Sequence, residues 1–191
     1  MTTRHVTPED YKAWSRIQIW TDDFEIESAI ITAEQAVDNA LGRRLQTAAV
    51  SATSRVFVPT DDCVVLIDDA AEITSVTNAG ATITGYQLEP LNGLSIGGES
   101  VPYDCIRLTA GSWYRYGQQA TVTVTARWGW ATLPAGLPDV VKVATKAVLD
   151  GRNVKLGIAE ITAGGAVSER EAALVRNFIR DYRGWRSFGV G

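Results

Sequence analysis

The 191-residue chain is poor in the side chains that most often do chemistry, with one histidine, one methionine and two cysteines. A single histidine, His5, excludes a histidine-rich metal site, and as a general base it would lie beside a chain end. Cys63 and Cys105 have neither metal-ligand spacing nor the density of a disulfide scaffold, so both are expected to be reduced, small apolar core residues. No apolar run reaches the roughly 20 residues that cross a bilayer. The start, Met1-Thr2-Thr3-Arg4-His5, lacks the apolar core of a signal peptide. No membrane role is expected, and the chain is expected to stay where it is made. Also missing are a phosphate-cradling glycine loop that ends in Lys-Ser or Lys-Thr, any internal repeat, and any lysine within residues 51–130.

What is present is an ordinary globular composition, 46% hydrophobic and 21% charged. A chain this long buries about 70% of its unfolded surface on folding. The net charge of -4 is unevenly spread: residues 1–137 hold 9 Lys plus Arg against 16 Asp plus Glu, hence -7, and residues 138–191 hold 9 against 6, hence +3. An acidic body argues against sequence-independent binding to a phosphate backbone, because that affinity comes from counterions released at cationic contacts.

Two periodicities divide the chain. Thr7-Pro8-Glu9-Asp10 reads as a helix start, with Thr7 as cap, proline in the first turn and acids at the positive end of the dipole. A second cap at Thr21 opens a longer helix with Ile26, Ile30, Ala33, Val37 and Leu41 on one stripe, stopped by Gly42. Residues 51–130 change to short runs rich in Val, Ile and Thr: 55–58, 63–67, 72–77, 81–88, 104–109 and 119–128. Turn chemistry separates them, including residues 68–70. The last run alternates cleanly, Ala120, Val122, Val124, Ala126 and Trp128 against Thr121, Thr123, Thr125 and Arg127, and ends at Trp128-Gly129-Trp130. Pro138 then opens a helix with Val140, Val143, Ala144, Ala147 and Val148 as its buried stripe. Ser168-Glu169-Arg170-Glu171 is a capping box, and the helix it opens is expected to bury Leu174, Val175, Phe178, Tyr182 and Trp185 and to turn Arg176, Arg180 and Arg183 outward.

The expected class is therefore α+β. Helices near residues 8–18, 22–42, 138–151 and 169–184 form a framework, and an antiparallel β domain is inserted into it. By parts, this is an N-terminal helical segment (1–50), the β insertion (51–130), a helix completing the helical core (131–153), and a C-terminal arm with an amphipathic helix (154–191). Ile30, Val37, Leu41, Val140 and Ala144 are the expected core residues of the framework, and Trp128 marks the junction.

Several chemical readings are weak. Gly93-Leu94-Ser95-Ile96-Gly97 has the letters of a nucleophile elbow, but His5 lies before the serine and a strand, not a helix, follows. The pairs Asp22-Asp23, Asp61-Asp62 and Asp68-Asp69 have no calcium-loop spacing and read as turns and a helix start. Trp113 sits in a segment whose pattern calls for core or subunit packing; with Tyr114 and Tyr116 it would instead be the platform of a glycan-binding β module, a rival reading in a different class. No enzyme activity, cofactor or metal is expected.

The helix ending Leu41-Gly42-Arg43-Arg44-Leu45 is followed by the strand from Ile73 to Val76, Gly80, Tyr86-Gln87-Leu88, the run from Val122 to Trp130, and then Pro134, Pro138, Val140 and Ala144. Over residues 22–152 this order resembles the head-to-tail connector, or neck adaptor, proteins of tailed bacteriophages. The resemblance implies a non-enzymatic ring, dodecameric, assembled in the host bacterial cytoplasm. The ring would dock under the portal protein at the head-tail junction of the virion, present a platform to a downstream neck or tail protein, and let genomic DNA through its lumen without sequence-specific binding. Another neck or tail-completion protein is the rival within that class. The basic C-terminal part, which the resemblance does not cover, is the expected portal-gripping element through Arg176, Arg180, Arg183, Trp185, Arg186 and Phe188. Removing residues 166–191 is expected to leave a folded protein.

Overall fold

Thr7 and Asp10 bond each other across the first turn of α1 (Pro8–Ser15), with the Thr7 Oγ1 to Asp10 Oδ2 distance 2.8 Å, so the chain enters its first helix with the Thr7 and Asp10 amides both satisfied. The computed structural model of the chain describes residues 5–15, 22–94, 98–117, 119–151 and 167–183. It divides into two compact units, one of Met1–Arg44 with Pro134–Gly191 and one of Leu45–Leu133.

In the first unit, α2 (Asp23–Leu41) is capped by Asp22, whose side chain accepts from the Phe24 amide; the expected cap, Thr21, lies outside the described residues. At the other end Gly42 takes a left-handed conformation, φ 66°, and the Arg43 amide reaches back to the Asp38 carbonyl, a six-residue closure that a side chain at Gly42 would oppose. Ile26, Ile30, Ala33, Val37 and Leu41 are all buried, as the stripe requires. α2 packs on α3 (Leu137–Asp150), which has Pro138 in its first turn and is buried more broadly than one stripe: Val141 and Thr145 are inside as well, and Val148 is only partly covered. The Thr145 hydroxyl stays satisfied there by donating to the Val141 carbonyl at 2.8 Å. α4 (Glu169–Tyr182) has the capping box in full and packs on α3 and α2.

The second unit is an antiparallel sheet of β1 (Thr53–Phe57), β2 (Val64–Asn78), β3 (Ala81–Thr82), β4 (Tyr86–Glu89), β5 (Tyr103–Leu108) and β6 (Val122–Trp128), ordered β1-β6-β2-β5-β4 with β3 paired to β2. Its core gathers Val65, Ile67, Val76, Ile106, Trp113, Val122, Val124, Ala126 and Trp128. Two expectations fail here. Residues 68–70 are not a turn: β2 runs through them with shifts of register against β5 and β6. The acids are held on a strand because each has a partner distant in sequence. Arg55 donates to Asp68 at 2.8 Å, and the Trp130 indole donates to Asp69 at 3.0 Å. The run 81–88 is not one strand either, since β3 ends at Thr82 and β4 starts at Tyr86.

Candidate assembly surfaces

No group of three or more His, Cys, Asp or Glu side chains among the described residues is placed to hold a metal ion. Each acidic pair has a structural task. Asp22 caps α2. Asp61 accepts from the Cys63 and Val64 amides at 2.8 and 2.7 Å, and these bonds hold its carboxyl below the usual range. Asp62 faces Arg115 at 3.4 Å. Burial and the adjacent Glu89 push the Cys105 thiol up to about 12, so it stays protonated. Cys63 is a free cysteine too, but it is only partly buried and sits before β2 rather than in a strand. Ser95 lies outside the described residues, as does the rest of the stretch 95–97. A cleft of about 100 Å³ in the sheet unit is lined by Asn92, Ser100, Tyr103 and Trp130 among others, with no carboxylate, lysine, arginine or histidine.

The glycan platform is corrected by burial. Trp113 is 3% exposed and lies inside the sheet core, its amide donating to the Asp62 carbonyl at 2.8 Å; Tyr114 and Tyr116 are exposed without it. A stacking surface needs an open ring face, and the tryptophan offers none.

The junction residue Trp128 is 2% exposed. Its indole donates to the Thr53 carbonyl at 2.8 Å, the Arg55 guanidinium sits 4.6 Å from its ring centre, and Phe57 lies 5.6 Å away on the same side of the core. The next residue was missed as a functional position. Gly129 has φ 114°, and a Cβ there would lie 2.7 Å from the Gln46 carbonyl oxygen. Residues 46–48 and 128–130 run together at this point, Trp130 donating to Gln46 and Ala48 to Trp130, both at 2.8 Å. The entry and exit of the sheet unit are thereby tied through a position that only glycine fits. The Trp-Gly-Trp end was the available signal, but its meaning depends on a residue 83 positions earlier.

On α4 the buried line is Ala172, Val175 and Phe178, with Tyr182 half-covered and its ring 4.7 Å from that of Phe178; Leu174, expected inside, is exposed. Ser168 and Glu171 bond each other reciprocally, and Lys146 of α3 donates to Glu171 at 3.0 Å, which fixes the helix start to its neighbour. The Ser168 hydroxyl first, then Lys146, holds the Glu171 carboxyl below its ordinary value. At 100° per residue the outward line runs Arg170, Ala173, Asn177, Arg180, with Arg176 and Arg183 to one side. Arg176 pairs with Glu169, Arg180 pairs with Asp181 at 2.9 Å, and Arg183 is exposed. Trp185, Arg186 and Phe188 lie outside the described residues. Because Ala172, Val175 and Phe178 are core, deleting residues 166–191 would uncover the helical unit. Contrary to the expectation from sequence, such a truncation should not stay folded.

No protein-family model matches this chain. No curated protein matches it either. Among solved structures, it shares its fold with a chain in the neck of an empty gene transfer agent particle computed with C6 symmetry: TM-score 0.54, 14% identity, 93% of this chain and 92% of that one covered. A chain of the neck of the native particle computed with C12 symmetry matches at TM-score 0.51 and 14% identity, over 100% of this chain and 98% of the other. A chain of the virion of the native gene transfer agent particle gives 0.53 and 14%, over 97% and 92%.

Proposed function

We propose that this protein is a structural component of a phage-like particle, a head-to-tail connector that forms a closed ring under the portal and joins the capsid vertex to the neck or tail. The observation that carries the reading is the likeness of fold, over nearly the full length of both chains, to proteins of gene transfer agent necks. The order of residues across 22–152 supports the same class independently. In this reading the chain transforms no substrate; it acts through the surfaces it offers to copies of itself, to portal and to a downstream neck or tail protein. Twelve copies surround a lumen through which DNA passes, and the acidic body keeps the phosphate backbone from adhering. The portal contact lies at the C-terminal end, through Arg176, Arg180 and Arg183 on α4 and through Trp185, Arg186 and Phe188.

The test is co-sedimentation of the purified protein with the portal of its own particle, comparing the full chain with one ending at Arg183. Retention of the full chain and loss of the shortened one are expected. Equal retention would move the portal contact elsewhere, and no retention of either would end the connector reading.

A further inference from the structure

A helix packed on one side normally turns its charges to water on the other. α2 does not. The side opposite its buried stripe carries Phe24, Ser28, Ile31, Gln35 and Asn39, at spacings of four, three, four and four, without a charge among them. Phe24 is 75% exposed and Ile31 39%. The charges lie along the margins, Glu27, Glu34 and Asp38 on one and Glu25 on the other. A neutral stripe containing two large apolar side chains, bordered by acids, is the pattern of a helix covered on both faces, with an apolar centre and a polar rim.

Charge narrows what can cover it. Residues 22–42 hold six acids and no lysine or arginine. A second α2 laid on the first would oppose like charges along its whole length, which excludes a two-fold contact of this helix with itself. A DNA backbone is excluded for the same reason. The counterpart must be a cationic face with a small centre, and the same unit has one: the outward line of α4, with Arg170 and Arg180 at its ends and Ala173 and Asn177 between them, Arg180 exchanging its exposed pair with the adjacent Asp181 for the contact. At about 1.5 Å per residue, Arg170 and Arg180 stand ~15 Å apart along their axis and Glu27 and Asp38 ~16 Å apart along theirs, so one helix can meet the other charge for charge.

We infer that the outward face of α2 in one copy receives the outward face of α4 of the next. This rests on the ring reading above and names its subunit contact. Two different faces on one compact unit form a head-to-tail contact, the kind that closes a ring rather than stopping at a dimer. It also takes Arg180 out of the portal-facing set and leaves Arg176 and Arg183 there.

The test combines charge reversal with crosslinking in the full chain, read as assembly mass alone and on portal. Ile31→Asp, and separately Arg170→Glu with Arg180→Glu, should weaken assembly by at least about tenfold, more than the loss of an exposed ion pair would give, while circular dichroism matches the parent. Adding Glu27→Arg with Asp38→Arg to the α4 reversal should restore it. Gln35→Cys with Asn177→Cys in one chain should give an intermolecular disulfide ladder on oxidation. A parent that forms rings while every variant assembles equally, and no ladder, would overturn this contact and leave the ring standing. A parent that forms no ring, alone or on portal, would overturn both.

Discussion

The two units differ in where their stabilising partners lie along the chain. In the helical unit the Asp22 cap, the Gly42 closure and the Ser168-Glu171 box are bonds within a few residues of one another, and only the burial of the α2 stripe against α3 reaches far along the chain. In the sheet unit the decisive contacts span long separations: Trp128 to Thr53, Trp130 to Asp69, Gly129 against Gln46. Local damage to the first should therefore cost a cap or an ion pair, whereas damage to the second removes the closure of a whole sheet.

The largest effect is expected at Trp128→Ala, about 3–5 kcal/mol for a buried ring of this size. Hydrogen exchange should show protection lost from β1, β2 and β6 while α2 and α3 keep theirs; unchanged melting would place the ring on the surface and erase the contrast. Gly129→Ala follows, at about 2–3 kcal/mol, from strain at φ 114° and a clash with backbone. An unperturbed melt would mean that the strand pair at 46–48 and 128–130 separates freely. Ser168→Ala should cost about 1 kcal/mol, confined to the α4 end. A loss as large as that at Trp128 would break the distinction between the units. Smallest is Glu171→Gln, whose sign depends on pH. The folded carboxyl titrates below its ordinary 4.5, so its contribution is present above that value and disappears as pH falls through the depressed one. The variant should be weaker than the parent at neutral pH and converge with it in acid, as chemical denaturation at both ends of that range would show. A gap that widened on acidification would contradict the Ser168 and Lys146 assignment.

The same contrast explains what could be read from the residues alone. The stripe of α2 and the alternation of β6 were legible because periodicity records which face is buried. Residues 68–70 were misread as a turn because acids and alanine are turn-like unless Arg55 and Trp130 are known to meet them. Trp113 could be read as core or as a ligand platform because exposure is not encoded in residue type, and Leu174 lies at the edge of the stripe that Val175, Phe178 and Tyr182 follow. The neutral outward face of α2 was present in the letters throughout. What an exposed face lacks becomes informative only once the covered face is known.

The most direct measurement is the mass and symmetry of the full chain after incubation with the portal of its own particle, by single-particle electron microscopy. The account predicts a ring of twelve copies seated on portal, with helices of adjoining copies in contact. A chain that stays single in solution and leaves portal bare would contradict it.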